Sequence, residues 1–238
     1  ELPVQIEYRM VKSDNSIVWI RDIIKFEWDV NTPIASVGAI SDITNARKLE
    51  IERRNRDEQI ILHQSALLEL SRLKNTDLDE TIKSITEISS KALKIDKIGV
   101  LLFKKDGNLI TKDSYDLSTG KHTANDILYK KDHPKFFEFL YSEKKYINEK
   151  GGNEEFMSNY IKEWLIPFGT ALILISRVRL HGEVVGIIVM ESRDKEKTNW
   201  SPEEFDFSVA VAGFVTLALE SQEHLDAELM IKRSLSEK

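Results

Sequence analysis

The sequence predicts an α+β protein in which two antiparallel sheets are joined by a long helix. Three observations lead to this fold class: three strand-like runs open the chain, a stretch without glycine or proline follows them, and two apolar hairpins with flanking helical patterns complete it. Runs of strands and runs of helices that follow one another in this way are typical of α+β architecture. The later sheet is expected to carry the helices on its faces.

The first block is a predicted three-stranded antiparallel meander. Residues Val4–Val11 alternate between apolar and polar, Ser16–Trp28 is rich in β-branched and aromatic side chains, and Ile34–Thr44 forms the third run. Polar turn sequences separate the runs. Three strands with one apolar face need a cover for that face. Since the chain begins at Glu1 inside the pattern, we expect it to be a piece of a longer protein.

The stretch Thr44–Leu73 is predicted to be one helix, because it is rich in Arg, Glu, Leu and Ile, and Thr44 or Asn45 is a suitable N-cap. Oppositely charged side chains at four-residue spacing support an exposed helix. These pairs are Glu52 with Arg56, Arg53 with Asp57, and Arg54 with Glu58.

A seven-residue register along this helix defines a seam that is apolar at its ends and polar in its middle. The seam contains Ala46, Leu49, Ile60, Leu67 and Leu70, interrupted by Arg53, Arg56 and His63. One interpretation is a solvated connector. The other is a parallel dimer helix whose weak centre lets it shift between two packings.

The second block opens with a helix up to about Leu93, for which Thr76 and Asp79 resemble a capping box. Two apolar hairpins follow, and between them we expect an irregular crossover with two short helices. The predicted segments are Lys97–Phe103 with Leu109–Leu117, the helices His133–Lys145 and Asn153–Leu165, and Thr170–Leu180 with Glu183–Ser192. A final helix begins with Ser201 as N-cap, Pro202 as first residue and Glu204 closing a capping box.

The first block resembles the C-terminal half of a PAS domain. The similarity lies in EYR, WIRD and VGAISDIT, whose last three residues, Asp42 to Thr44, resemble the D-I/V-T motif before a PAS output helix. It covers residues 1–44. Asn15 stands where the family often has glycine, and asparagine tolerates a positive φ. The resemblance implies a signalling linker helix at 45–73.

The second block resembles a GAF domain over residues 59–222. The similarity lies in the stretch RVRLHGEVVGIIVMESRDKEKTNWSPEEFDFSVAVAGFVTLALES. The resemblance implies that the linker continues into the first GAF helix, and that 223–238 is an output helix. Such domains often sense small molecules between sheet and crossover. The pocket candidates are Phe136, Phe139, Phe156, Tyr160, Trp164 and Phe168; alternatively, these aromatic side chains simply fill the core.

Several function classes are excluded by what the sequence lacks. The formal charge is −6 with acids and bases interspersed, there is no cysteine, and the five histidines are scattered. We therefore expect no nucleic-acid partner, no metal, no cofactor and no thioether-linked bilin. No apolar run approaches about 18 residues, so no segment is expected to span a membrane. We expect a cytoplasmic location.

The combined resemblances imply the sensory region of a two-component-type protein, a histidine kinase by preference, with no catalysis in this chain. We expect a parallel homodimer, an unidentified small-molecule ligand, and coupling through the helices. The coupling residues predicted are Asp42, Thr44, Leu49, Arg53, Arg56, Ile60, Leu67, Leu225 and Leu229. The alternatives are a structural dimerisation spacer whose GAF fold binds nothing, and a regulatory segment of a cyclic-nucleotide phosphodiesterase or diguanylate cyclase.

Overall fold

The computed structural model describes residues 3–30, 32–73, 77–141, 146–150 and 169–236. The chain divides into two compact units, Glu1–Gln59 and Ile60–Lys238. The helix α1 (Thr44–Ser71) contains the boundary between them.

The first unit is built on an antiparallel sheet of β1 (Val4–Val11), β2 (Ile17–Asp29) and β3 (Thr32–Asp42), in that order. The turn before β2 contains Asn15 at a φ of 62°, as its side chain permits. In β2, Val18 is buried, whereas many apolar side chains elsewhere in this sheet are exposed. The predicted three-stranded meander is confirmed.

The start of α1 is fixed by hydrogen bonds from the end of β3. Asp42 Oδ1 accepts from the amide and the hydroxyl of Thr44 at 2.9 and 2.6 Å. The amide of Trp19 in β2 donates to Thr44 Oγ1 at 2.9 Å, so that hydroxyl ties helix to sheet. The Ile43 carbonyl accepts the first helical bond, from Arg47. The N-cap position is therefore Ile43, and the prediction of Thr44 or Asn45 is wrong.

The second unit contains a seven-stranded antiparallel sheet with strand order β6-β5-β4-β10-β9-β8, and β7 pairs with β5. In chain order its elements are α2 (Leu78–Leu93), β4 (Lys97–Phe103), β5 (Leu109–Asp116), β6 (Lys121–Thr123), β7 (Ile127–Leu128), α3 (Pro134–Leu140), β8 (Tyr146–Lys150), β9 (Leu172–Leu180), β10 (Glu183–Ser192) and α4 (Pro202–Ser236). The predicted α+β fold class is confirmed.

Both faces of the central strands are covered. On one face, here called the helix face, Ile188 packs in a cluster with residues of α1, α2 and α4 such as Leu70, Ile85 and Val215. On the other, here called the crossover face, the adjacent Val189 packs with residues that include Phe137 of α3. Consecutive side chains of a strand point to opposite faces, so β10 contributes to both clusters.

The structure corrects several predicted element ends. The N-cap of α2 is Asp77, which accepts from the Glu80 amide at 2.9 Å, so the capping box from Thr76 to Asp79 is wrong. The helix α3 ends at Leu140, before the predicted Lys145. The sequence interpretation missed β6 and β7, and the predicted helix Asn153–Leu165 lies outside the described residues.

The capping box at the start of α4 is confirmed. The Glu204 amide donates to Ser201 Oγ at 3.2 Å, and the Ser201 amide donates to Glu204 Oε2 at 2.7 Å. Among the helices that the structure describes, none is long and apolar enough to cross a membrane.

Candidate functional site

The crossover face is the candidate ligand-binding face, and two of the six predicted pocket aromatics lie there. Phe136 is 1% exposed and its ring meets that of Phe137 edge-on, with centroids 5.9 Å apart. Phe139 is partly buried against the same cluster. These side chains fill space beneath the sheet in the described part. The other four candidates, Phe156, Tyr160, Trp164 and Phe168, lie outside the described residues.

Arg177 is a polar group of the crossover face that the sequence interpretation missed. It follows Ile175 on β9 at two-residue spacing, which places it on the same face as that core residue. Its Nη2 donates to the Phe139 carbonyl oxygen at 3.0 Å. Burial lowers the pKa of the guanidinium, and the charge of Arg179 adds to the effect. Since arginine keeps its proton in proteins, Arg177 presents a positive charge on this face.

Glu191 is a second polar group of the same face, at the end of β10. It follows Val189 at two-residue spacing and is 8% exposed. The Thr170 hydroxyl donates to Glu191 Oε2 at 2.7 Å. Burial raises the pKa of the Glu191 carboxyl, and the charge of Lys97 opposes that shift. The two-residue spacing was the sequence signal that could have identified both Arg177 and Glu191.

The strand β9 links the crossover face to α4. Ser176, next to Arg177, points to the helix face, where its hydroxyl and that of Ser208 lie 2.7 Å apart. The hydroxyl of Thr216 donates to the Arg179 carbonyl oxygen at 2.9 Å. A displacement of β9 would therefore act directly on α4 through these two contacts.

The predicted seam of α1 is divided by the structure. Its C-terminal part packs within the second unit: His63 and Leu70 are buried, and Leu67 packs against the same core. The expectation that these positions form one seam with Leu49 toward a partner chain is corrected for this part, because their own domain covers them. The remaining coupling candidates are exposed or half-buried: Leu49, Arg53, Arg56, Ile60, Leu225 and Leu229.

A groove of about 520 Å³ lies between α1 and α2 in the second unit. Its lining includes Leu62, Ser65 and Ile88, with Glu69 and Glu87 as acidic groups. The short serine side chain leaves room between the helices. The groove belongs to the helix layer and faces away from the crossover.

His122 has a carboxylate partner that its isolated position in the sequence did not reveal. Its Nδ1 lies 2.9 Å from Oδ2 of Asp113, which also accepts from the Thr86 hydroxyl. Glu87 Oε2 lies 3.8 Å from Nε2 of the same ring. The prediction missed this cluster because its members come from α2, β5 and β6. Within the described ranges, no group of three or more acidic, histidine or cysteine side chains is arranged to hold a metal ion.

The second unit is an α+β module with one sheet, which has helices on one face and a crossover on the other. A family model described as GAF domain matches residues 77–219, more than half of the chain. The chain therefore belongs to the GAF domain family. Comparison with curated proteins gives no match.

Solved structures agree with this fold. The phycocyanobilin-bound GAF domain from a cyanobacterial phytochrome is 14% identical with a TM-score of 0.57, covering 69% of this chain and 96% of that chain. The phycoerythrobilin-bound GAF domain from a cyanobacterial phytochrome is 14% identical with a TM-score of 0.55, covering 71% of this chain and 97% of that chain. The GAF domain of Thermosynechococcus elongatus PixJ, in its blue-light absorbing form, is 13% identical with a TM-score of 0.53, covering 65% and 91%.

Proposed function

We propose that this chain is the sensory and signal-transmitting region of a two-component-type protein, with a histidine kinase as the preferred parent. The GAF domain takes a small molecule or a partner at its crossover face. The signal then passes through the helix layer to a catalytic module outside this chain. In this proposal the residues 1–44 are the C-terminal part of a PAS domain, and the chain itself catalyses nothing.

The observation that carries the proposal is the shared helix layer of the second unit. The end of α1 contributes Leu70 to this layer, and the start of α4 contributes Val211 and Val215 to the same cluster. An element that precedes the domain and one that continues past it thus pack on one sheet face. A ligand on the opposite face would change the packing of both helices only by binding one arrangement more tightly than another.

The coupling step runs through β9. Arg177 belongs to the crossover face, whereas the neighbouring Ser176 contacts Ser208 of α4. A ligand that draws Arg177 toward itself would move the backbone to which Ser176 is attached. Because a guanidinium binds carboxylate or phosphate through charge-assisted hydrogen bonds, the half-buried Arg177 favours a ligand with an anionic group.

The alternative function is a structural dimerisation spacer, and one observation favours it. The described part of the crossover face is filled, since Phe136, Phe137 and Leu140 are almost wholly buried. A filled face leaves no room for a ligand among these residues. The two solved domains with bilins do not decide between the functions, because this chain has no cysteine for a thioether link.

We further propose that the chain forms a parallel homodimer through its linker and C-terminal helices. The apolar side chains of Leu49, Leu225 and Leu229 are exposed on them. Arg53 and Arg56 would lie in the weak centre of the linker contact. An exposed apolar stripe on a helix is a common dimerisation surface.

Native mass spectrometry of the purified chain tests both proposals in one spectrum. A dimer with a non-protein adduct supports ligand sensing and gives the mass of the ligand. The Arg177→Met variant should lose this adduct, while Arg179→Met, on the same strand, should keep it. A bare dimer would favour the spacer, and a bare monomer would contradict the dimer proposal.

The polar centre of the linker has its own test. Replacing both Arg53 and Arg56 with Leu should strengthen self-association, measured as the dimer dissociation constant by analytical ultracentrifugation. The matched control is Arg54→Leu, outside the seam, which should leave that constant nearly unchanged. Equal dissociation constants for all three proteins would contradict the assigned seam.

A further inference from the structure

His63 is a buried histidine at the contact between α1 and α4 within the second unit. It is 6% exposed, and its ring lies 5.0 Å from the ring of Phe207 of α4, centroid to centroid. Within the described residues, its Nε2 is buried and has no hydrogen-bond partner. A neutral imidazole can pack here as an uncharged aromatic ring would, although its Nε2 then lacks a hydrogen-bond partner.

The charged groups that face His63 come from the start of α4. They are Glu203 and Glu204, whose negative charges favour the protonated ring. The Glu204 carboxylate is already engaged by the Lys197 ammonium at 2.6 Å and by the Ser201 amide at 2.7 Å. At three- and four-residue spacing on α1 itself, the residues are Gln59, Ile60, Ala66 and Leu67, and none carries a charge.

Burial outweighs these two carboxylates. Desolvation lowers the pKa of His63, and the negative charges of Glu204 and Glu203 reverse only part of that decrease. An imidazolium in this position would have a second N–H, at Nε2, that is buried and finds no acceptor. Burying an unpaired charge is costly, so the protonated ring is more stable where water reaches it.

We propose that His63 is a proton-operated latch between α1 and α4: the neutral ring holds the helices together, and protonation releases the turn of α1 that carries it. Leu70 lies deeper in the apolar cluster and stays packed. The release is therefore confined to the turn at residues 60–66, where α1 enters the domain. This inference does not depend on a ligand or on the identity of the output module.

The sign of the pH dependence follows from linkage. Because the pKa in the packed state is lowered, the open state binds more protons, and packing is weakened as the pH falls below the ordinary histidine value of about 6.5. The opening equilibrium of residues 60–66 should rise by at most about threefold from pH 7 to pH 6, and by at most about tenfold for each further pH unit.

Two measurements on the whole chain test the latch. Nuclear magnetic resonance of ¹³C-labelled histidine follows the ring of His63, identified by its absence in His63→Phe. Hydrogen exchange, expressed as protection factors, follows the amides of residues 60–66. We expect the ring to titrate below the ordinary value, and protection to fall over the pH range between the ordinary value and that titration. His63→Phe should keep its protection through this range.

The control is His224→Asn, on the exposed part of α4, which should lose protection with pH as the wild type does. A His63 ring that titrates at or above the ordinary value would overturn the proposal. So would an equal acid-induced loss of protection in His63→Phe. If that variant fails to fold, the wild-type titration still decides, with the ring assigned through its contact with Phe207.

Discussion

The two sheets differ in how much of their apolar surface the chain covers. In the seven-stranded sheet, Ile187 and Ile188 point to opposite faces and both are 0% exposed. In the three-stranded sheet, Ile6 and Ile40 are 45% and 68% exposed. The sequence patterns differ in parallel: β10 is a nearly continuous apolar run, whereas β1 alternates. A continuous run thus indicates two covered faces, and alternation indicates one apolar face.

This contrast separates what stabilises each unit. The second unit rests on apolar burial on both sides of its sheet. The first has few buried side chains in its sheet, and polar contacts hold its strands and the start of α1. Glu7 pairs with Arg21 and Arg47, and the Arg47 guanidinium lies 5.5 Å from the centre of the Trp19 ring. The same kind of substitution should therefore have different costs in the two sheets.

The largest difference is expected for one isoleucine in each sheet. Ile188→Ala should lower the free energy of unfolding by about 2–5 kcal/mol, because it leaves a cavity beneath the helices. Ile40→Ala removes an exposed side chain and should change stability by less than about 0.5 kcal/mol. Urea unfolding of both variants measures the two values. Equal losses would mean that the apolar face of the three-stranded sheet is covered in solution.

A glycine in each sheet gives the next largest difference. A Cβ on Gly186, beside the bulge in β10, would collide with the Leu101 carbonyl oxygen and with the side chain of Leu102. A Cβ on Gly38 would stand 3.0 Å from the Ile23 carbonyl oxygen, so the exposed sheet needs to give by only a few tenths of an ångström. Gly186→Ala should cost about 1–3 kcal/mol, and Gly38→Ala less.

Thermal unfolding of the two alanine variants is the measurement. The corresponding serine variants serve as controls, because they place the same Cβ atom at each position with a different terminal group. A smaller loss for Gly186→Ala than for Gly38→Ala would contradict the assigned bulge and its close backbone approach.

Substitutions at the N-termini of α4 and α1 should have smaller effects on stability. Ser201→Ala removes the hydroxyl that accepts from the Glu204 amide and should destabilise α4 by about 1 kcal/mol. Asp42→Ala should loosen only the first turn of α1, since its carboxylate bonds the amide and hydroxyl of the half-buried Thr44. Hydrogen exchange resolved by segment measures both. Ser201→Thr keeps an accepting hydroxyl and should restore protection; failure to do so would point to a packing role for Ser201.

Sequence periodicity and turn residues were sufficient to predict most of the regular helices and strands. The bounds of β1, β4 and β10 were predicted to the residue, because each is a short run closed by clear turn residues. The strands β6 and β7 were missed, since runs of three and two residues have no measurable period.

Less of the candidate site could be predicted from the sequence. Arg177 and Glu191 were overlooked because a charged residue in a strand is ordinarily exposed, whereas Glu191 is buried and Arg177 is half-buried. The partnership of His122 with Asp113 requires the pairing of β5 with β6. The seam of α1 was misassigned in its C-terminal part because a seven-residue pattern does not reveal whether the apolar stripe meets another chain or its own domain.

The smallest effect expected concerns one carboxylate in each unit, Asp116 and Glu7. Burial alone would raise the pKa of Asp116, but hydrogen bonds from Ser118 and the ion pair with Arg193 outweigh burial and lower it. Hydrogen bonds from Arg21 and then Arg47 lower the pKa of Glu7. Because both folded-state pKa values are lowered, both contributions are present above the unfolded values of about 4 and are lost as the pH falls through the folded values.

Salt should separate the two carboxylates. Asp116→Asn should lower the free energy of unfolding by about 1 kcal/mol or less at neutral pH. Added salt should change this loss little, because the backbone amides of Ser118 and Thr119 also donate hydrogen bonds to the carboxylate. Glu7 depends on two arginines rather than on backbone amides, so the effect of Glu7→Gln should shrink as salt rises from about 0.05 to about 0.5 M. Thermal unfolding of each variant at both salt concentrations measures the difference. A salt-sensitive Asp116 would mean that Arg193, rather than the turn amides, holds that carboxylate ionised.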